Sequence, residues 1–117
     1  MFANHYKLDN LCVIIDSNGL QIDGPVAEII GPAPFEPKLA AFGYNVITID
    51  GHDLDQIEAA FRAARECKGR PTAIVANTTK GKGVSFMENE ASWHGSAPNA
   101  EQYEQAVAEI KASVAGL

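Results

Sequence analysis

Three short apolar runs limit most strongly what this chain can fold into. They cover residues 11–16, 45–50 and 72–77, and each is rich in Val and Ile and is followed by polar or glycine residues that favour turns. The apolar residues run continuously instead of alternating, which is typical of strands buried on both faces of a parallel sheet. A helical segment lies between the second and third runs. The pattern therefore predicts an α/β fold, a parallel sheet with helices on both faces.

Two capping boxes mark where helices begin. Asp53 followed by Gln56 predicts a helix that ends before Gly69, and Asn99 followed by Gln102 predicts a terminal helix. We expect the first helix to bury Leu54, Ile57, Phe61 and Ala64 on one face. We expect the last helix to be amphipathic, with a stripe of Tyr103, Val107, Ile110 and Val114.

A short helix is expected over residues 37–42. The stretches 24–37 and 78–98 are expected to be irregular loops, and the second has a length that is uncommon unless it is functional.

The composition excludes several classes of function. At 117 residues the chain corresponds to one domain or a part of one. The formal net charge of −6, with only 9 Lys and Arg, argues against binding to nucleic acid or to an anionic membrane, and no apolar run is long enough to span a bilayer. The two cysteines lack metal-site or disulfide spacing, and the N-terminus lacks the pattern of a secretory signal. We therefore expect a cytoplasmic protein with reduced thiols.

Polar clusters follow all three predicted strands. In open parallel sheets, ligands bind beyond the carboxyl ends of the strands. Residues 16–18, 51–53 and 78–81 occupy these positions. We therefore expect a cleft that collects these clusters, with chemistry in the long loop that follows the third strand.

Asn18 and Leu20 form a candidate metal site. An Asn side-chain oxygen and a backbone carbonyl two residues further on can both point at one hard cation, and Mg²⁺ prefers such oxygen ligands when it also holds phosphates. The alternative is that Asp16, Asn18 and Gly19 only shape a turn, and the spacing alone favours that interpretation.

The long loop carries two further candidates. In residues 79–83 the glycines let backbone N–H groups approach an oxyanion and the lysines add positive charge, but the full P-loop pattern is absent and such lysines are often only solvated. His94 can transfer a proton near neutral pH, although a single loop histidine is often a surface residue.

Together these motifs resemble those of the transketolases. The string that begins at Asp16, Asp-Ser-Asn-Gly-Leu-Gln-Ile-Asp-Gly, matches throughout the second half of that family's cofactor motif, Asp-x-Asn-x-x-x-Ile-Asp-Gly. The Lys-Gly-Lys-Gly loop and the Trp-His-Gly run at Trp93 are similar to later landmarks of the family, so the resemblance covers essentially the entire chain. It implies that residues 1–117 form a partial thiamine-diphosphate (diphosphate-binding) domain of transketolase type, with the fold incomplete at its N-terminus.

The resemblance also implies a role for each site residue. The Asn18 side-chain oxygen and the Leu20 carbonyl would bind the Mg²⁺ that bridges the diphosphate, which makes both residues metal and cofactor ligands. Ile22 would pack against the thiazolium ring. His94 would be both cofactor-binding and catalytic, because an imidazole there can stabilise an alkoxide or shuttle a proton. The implied activity is transfer of a two-carbon ketol unit between sugar phosphates, in the pentose phosphate pathway, with thiamine diphosphate and Mg²⁺ as cofactors.

One half of the family's cofactor motif is absent from this sequence. That motif begins with Gly-Asp-Gly well before its Asn, but only 17 residues precede Asn18, and Gly-Asp-Gly occurs nowhere. The metal-binding Asp of that half and the pyrimidine-binding domain of the family are therefore missing. We expect the chain to be inactive alone and to act with the rest of a transketolase, as the same or a separate chain. We also expect a homo-oligomer, because an incomplete sheet exposes an unpaired edge and an apolar face.

Two other interpretations are open at this point. The chain could belong to a related thiamine-diphosphate enzyme, such as deoxyxylulose-phosphate synthase or the E1 component of a dehydrogenase, although residues 20–24 favour a transketolase. It could also be a non-catalytic assembly module that keeps the motif without metal affinity. Cofactor binding would separate this module from the enzymes.

Overall fold

The computed structural model describes residues 1–115, so the last two residues of the predicted domain lie outside it. In chain order its elements are α1 (Phe2–His5), β1 (Cys12–Ser17), β2 (Leu20–Gln21), β3 (Gly24–Pro25), α2 (Val26–Ile29), α3 (Phe35–Ala41), β4 (Asn45–Asp50), α4 (Leu54–Glu66), β5 (Thr72–Asn77), a 3-10 helix (Ala91–His94) and α5 (Ala100–Val114). None of the helices within this described range is long and apolar enough to cross a membrane.

The chain forms two compact units. The first contains residues 1–17 and 32–78, and the second contains residues 18–31 together with the chain from Thr79 onward. The parallel sheet and its helices α3 and α4 belong to the first unit. The hairpin β2–β3, the 3-10 helix and α5 belong to the second.

A three-stranded parallel sheet forms the centre of the first unit. Its strands lie in the order β1-β5-β4, and the register aligns Cys12 and Asn45 with Thr72. The three predicted strands are confirmed. Both β4 and β5 have the predicted bounds, whereas β1 begins one residue later, at Cys12. Leu11 still contributes to the sheet, because its carbonyl accepts the backbone N–H of Thr72 at 3.0 Å.

Helices cover both faces of this sheet. On one face, Ala60 of α4 packs in a buried cluster with Ile49 and Ile74. On the other face lies α3, where the Glu36 carboxylate accepts a hydrogen bond from the hydroxyl of Thr48 at 3.2 Å. Thr48 and Ile49 are adjacent in β4, so their side chains point to opposite faces. The predicted fold class is confirmed.

The α3 helix begins earlier than the sequence predicts. We expected a helix over residues 37–42, but it begins at Phe35, and Pro37 is its third residue. Proline is tolerated in the first turn because the N–H that it lacks would have no partner within the helix. The proline therefore did not mark the first helical position.

The α4 helix begins at the predicted cap. The Asp53 carboxylate accepts the backbone N–H groups of Gln56 and Asp55 at 3.1 and 3.0 Å, and these bonds, with the Gln56 N–H first, lower the pKa of Asp53. In a full capping box the Gln56 side-chain oxygen would accept the Asp53 backbone N–H, but here it has a different partner. The Gln56 side-chain oxygen accepts the backbone N–H of Asp50 at 3.0 Å, so this side chain links the helix to the end of β4.

The buried face of α4 is shifted from the predicted one. Ala60 and Ala64 are buried and Ile57 packs against the core, but Leu54 is 79% exposed and Phe61 is 41% exposed. Leu54 and Phe61 are seven residues apart, so they lie together on one flank of the face that the other three residues form. The prediction that Leu54 and Phe61 are buried was wrong for this reason.

The second unit contains a hairpin and the terminal helix. Strands β2 and β3 pair antiparallel, and α2 follows β3 directly, so the predicted loop 24–37 contains short regular elements. The α5 capping box is confirmed. The Asn99 side-chain oxygen accepts the Gln102 N–H, and the Gln102 side-chain oxygen accepts the Asn99 N–H, both at 2.9 Å.

The apolar stripe of α5 is only partly covered. Ala106 is buried and Val107 is half-buried, but Tyr103, Ile110 and Val114 are all exposed. The helix is therefore amphipathic as predicted, and its buried contact is centred on a small residue beside the predicted stripe.

Candidate functional site

The second unit contains a shallow cleft that brings two distant parts of the sequence together. The cleft has a volume of about 300 Å³ and is lined by Asn18, Leu20, Gln21, Ile22, Lys80 and His94. Its size is at the lower end for small-molecule sites. All four residues that the sequence analysis named as site residues lie on it, and Lys80 and Gln21 lie on it as well.

Asn18 adopts the turn that its sequence context suggests. Its side-chain oxygen accepts the backbone N–H of Leu20 at 2.9 Å, and the intervening Gly19 has a φ of 75°, a conformation that favours glycine. An amide oxygen has two lone pairs, so this bond leaves one free for a further ligand. The turn and the metal site are therefore compatible, because the turn fixes the orientation of the side chain.

The hairpin holds Ile22 at the cleft. Ile22 and Asp23 form the connection between β2 and β3, and the Gly19 carbonyl accepts the Val26 N–H at 2.9 Å, which closes the base of the hairpin. Ile22 is 64% exposed. It therefore offers the cleft an apolar surface that is largely exposed.

The glycine-rich loop is folded upon itself. The Glu88 carboxylate accepts the Gly83 N–H at 2.9 Å and lies 3.8 Å from the Lys82 ammonium. Lys82 and Gly83 thus already face an anion of the same chain. Of the two lysines in the candidate phosphate cradle, Lys80 lines the cleft, and its carbonyl accepts the Asn89 N–H at 2.9 Å.

His94 is presented by a short helix. It is the last residue of the 3-10 helix and is exposed, whereas the preceding Trp93 is half-buried. The Trp93 indole N–H donates to the Phe86 carbonyl at 3.0 Å, and the two rings lie 5.4 Å apart. A half-buried and hydrogen-bonded indole thus lies directly before His94 in the chain.

The other polar clusters that follow strands have structural contacts in the first unit. The Asp50 carboxylate accepts the His52 backbone N–H at 2.9 Å, and Asp53 caps α4. The Thr78 hydroxyl donates to the Asp16 carboxylate. Of the three clusters expected to share one cleft, the first and third contribute Asn18 and Lys80 to the cleft of the second unit, whereas none of residues 51–53 is among the residues that line it.

Lys80 lines the cleft, although the sequence alone gave little weight to a role for it there. Loop lysines are usually solvated, and the sequence does not reveal that Glu88 faces Lys82 and leaves Lys80 beside the cleft. Its position in the sequence did indicate a place near a ligand site, because Lys80 follows the end of a buried parallel strand by only three residues.

The oxygen atoms that the cleft could offer to a metal ion are neutral, because none of its described lining side chains is a carboxylate. Within residues 1–115 there is no cluster of three or more His, Cys, Asp or Glu side chains that could hold a metal ion. Cys12 and Cys67 are free thiols, and burial raises the pKa of Cys12. A cation in the cleft would thus meet the Asn18 side chain and backbone carbonyls.

Comparison with known proteins decides the family. The family model described as "Transketolase, thiamine diphosphate binding domain" matches residues 1–113. The chain belongs to the transketolase family. The transketolase resemblance that the motifs carry is thereby confirmed over nearly the whole chain.

Relatives and solved structures agree with this assignment. The chain is 42% identical to a subunit of the apulose-4-phosphate transketolase of Phocaeicola vulgatus, over all of this chain and 42% of that protein. It is 42% identical to a 6-deoxy-6-sulfo-D-fructose transketolase subunit of a Clostridium species, over 95% of this chain and 40% of that protein. A crystal structure of the Campylobacter jejuni transketolase matches 93% of this chain and 17% of its own, with 31% identity and a TM-score of 0.86. The chain thus spans less than half the length of these relatives.

In the glycine-rich loop, Gly83 should tolerate substitution by alanine better than Gly81 does. Gly81 and Gly83 both have positive φ, 74° and 92°, but a Cβ at Gly81 would lie 2.5 Å from the Met87 carbonyl oxygen, whereas one at Gly83 would meet nothing within 4 Å. Gly83→Ala should cost roughly 1–2 kcal/mol from the backbone conformation alone, and Gly81→Ala should cost more. Urea denaturation followed by Trp93 fluorescence measures both. Equal losses would contradict the close approach at Gly81.

Proposed function

We propose that this chain supplies part of the cofactor site of a transketolase that transfers a two-carbon ketol unit between sugar phosphates. The observation that carries the proposal is the cleft that gathers Asn18, Ile22, Lys80 and His94 in one unit. The relatives named above include one enzyme described by a sugar phosphate, apulose 4-phosphate. A role in the pentose phosphate pathway belongs to the same proposal.

The side chains on the cleft suit the parts of thiamine diphosphate and Mg²⁺. The Asn18 side-chain oxygen, held by the Leu20 N–H, and the Leu20 carbonyl are oxygen ligands of the kind that Mg²⁺ prefers. The Lys80 ammonium offers positive charge to a diphosphate, and the exposed Ile22 offers an apolar surface to a ring. When bound, thiamine diphosphate supplies the electron sink for making and breaking carbon–carbon bonds.

His94 provides the proton chemistry in this proposal. Its imidazole is exposed on the same cleft as Asn18 and Lys80, so it can reach a substrate oxygen there. An imidazole can donate a hydrogen bond to an oxygen that gains negative charge, or hold the proton that this oxygen loses. We therefore assign stabilisation of a substrate alkoxide to His94.

The rest of the site must come from elsewhere in the enzyme. The cleft offers Mg²⁺ only neutral oxygens within the described residues, and the sequence has no Gly-Asp-Gly. We propose that the remainder of a transketolase, in the same or a separate chain, supplies the anionic metal ligand and the pyrimidine-binding domain. The relatives named as subunits support a separate chain. Two free thiols support a location in the cytoplasm.

In the assembled enzyme, His94→Ala should mainly lower turnover and should reduce cofactor affinity by a smaller factor. The loss of one polar contact that stabilises a developing oxyanion typically costs a factor of about 100 or more in rate. Steady-state kinetics with a sugar phosphate donor measures kcat, and a cofactor titration measures binding. His5→Ala is the matched control, because His5 lies on the short helix α1 of the first unit. Unchanged turnover with cofactor bound would contradict the role of His94.

We also propose that the isolated chain self-associates through the first unit. Strand β1 is at the edge of the sheet, and an apolar groove of about 200 Å³ lies beside it, lined by Ile14, Ile49, Gly51, Ile57, Phe61, Ile74 and Ala76. Ile14 is 55% exposed although it lies in the middle of a strand. An unpaired edge with an apolar face beside it favours pairing with another copy when the rest of the enzyme is absent.

Ile14→Thr should weaken this association and retain the strand, because threonine is also β-branched. Sedimentation velocity of the 117-residue chain should show oligomers in the wild type and a shift toward monomer in the variant. Ile30→Thr is the control, since Ile30 is 74% exposed and lies outside the groove. A monomeric wild-type chain at all concentrations would contradict the proposal.

A further inference from the structure

We propose that Glu109 is a positioning residue that fixes the Trp93–His94 turn by clamping Ser85. The structural link stands on contacts within the second unit, and its catalytic consequence rests on the proposed role of His94. Glu109 lies on α5, fifteen residues beyond His94 in the sequence, and no motif in the sequence points to it.

The clamp consists of three hydrogen bonds to one carboxylate. Glu109 accepts the Ser85 backbone N–H at 2.6 Å and the Ser85 hydroxyl at 2.8 Å, one on each oxygen. The Gln105 side chain, one turn earlier on α5, donates a third bond at 2.7 Å. These donors, with the Ser85 N–H first, lower the pKa of Glu109, so the carboxylate is charged at neutral pH and its hydrogen bonds are of the stronger, charge-assisted kind.

The residue after Ser85 carries the link onward. The Phe86 carbonyl accepts the Trp93 indole N–H at 3.0 Å, and the two aromatic rings pack 5.4 Å apart at an angle of 58°. An indole has a single N–H donor, so this bond and the ring contact define one orientation of Trp93. His94 is covalently next to Trp93 and ends the same 3-10 helix.

Turn bonds also hold the loop before the 3-10 helix, among them the Met87 N–H on the Val84 carbonyl and the Gly83 N–H on the Glu88 carboxylate, both at 2.9 Å. Val84 is buried, but Ser85, His94 and Gly95 are exposed, and the backbone bond that closes the 3-10 helix, from the Trp93 N–H to the Glu90 carbonyl, is long at 3.4 Å. A charge-assisted clamp on the exposed Ser85 adds to this local order, because it ties the loop to the capped helix α5. Releasing Ser85 should therefore loosen Phe86 and with it the indole that seats His94.

The first test measures the link without any enzyme activity. Trp93 is the single tryptophan of the chain, so its fluorescence reports this turn alone. In the 117-residue chain, Glu109→Ala should shift the emission to longer wavelength and increase quenching by acrylamide. Glu109→Gln, which keeps an acceptor oxygen, should show a smaller change. Glu104→Ala, an exposed glutamate on the same helix, is the control and should match the wild type. Circular dichroism verifies that the helices are retained.

The second test asks whether the link acts through His94. In the assembled enzyme, Glu109→Ala should lower kcat by about tenfold to a hundredfold, because small displacements of a catalytic group can cost that much, and KM should change little. The same substitution in a His94→Ala background should cause no further loss, because the group that it positions is already gone. A residue that only stabilises the fold would lower both backgrounds by the same factor.

The outcomes separate the two proposals. Unchanged Trp93 emission in Glu109→Ala overturns the clamp, and equal losses of kcat in both backgrounds overturn the action through His94. If His94→Ala alone leaves kcat unchanged with cofactor bound, the proposed function of His94 is wrong. The fluorescence result then still decides the clamp. Ser85→Ala removes the hydroxyl bond to Glu109 and keeps the backbone one, so it should shift the Trp93 emission in the same direction by a smaller amount. This second variant keeps the clamp testable if the Glu109 variant fails to fold.

Discussion

Backbone hydrogen bonds from β5 to a parallel strand on each side hold the first unit together. They begin with the Thr72 N–H on the Leu11 carbonyl at 3.0 Å and the Asn45 N–H on the Pro71 carbonyl at 2.9 Å. Residues 73–75 are at most 2% exposed, so the strand is covered by sheet on both edges and by side chains on both faces. The chain leaves β1 directly at Asn18 and reaches Lys80 three residues after β5. Two of the residues that line the cleft thus follow closely on the ends of these two strands in the sequence.

The second unit is organised differently, because hydrogen bonds rather than burial shape its site. The side chains of Asn18, Glu88 and Glu109 each accept a backbone N–H, and the Trp93 indole donates to a backbone carbonyl. Few apolar side chains there are buried, and Ile22 is largely exposed. Regions with little burial have low local stability, which is consistent with our proposal that a cofactor and the rest of an enzyme complete this site.

The strands and helix caps could be predicted because their causes are local. Continuous Val and Ile runs specify buried parallel strands, and Asp53 and Asn99 cap the helices that follow them with bonds over two or three residues. Asn18, Leu20, Ile22 and His94 could be named because the whole motif resembled one family, and the structure brings all four to one cleft.

What could not be predicted depends on contacts between distant residues. The roles of Lys80 and Lys82 diverge because Glu88 folds back onto one of them, and the roll of α4 depends on which of its residues meets β4 and β5. Glu109 has an ordinary helical sequence context, and its importance appears only when Ser85 is found on its carboxylate.

We propose that this chain holds one part of a shared cofactor site. Mg²⁺ prefers about six oxygens in octahedral order, and the described residues that line the cleft, Asn18 and Leu20 among them, offer it neutral oxygens and no carboxylate. Calorimetric titration with thiamine diphosphate, with and without Mg²⁺, tests this most directly. We expect no metal-dependent binding by the chain alone. Binding should appear once the Gly-Asp-Gly segment and the pyrimidine-binding domain are supplied. Asn18→Ala should then abolish that binding, whereas the control Asn10→Ala should retain it. Tight Mg²⁺-dependent binding by the 117 residues alone would contradict it.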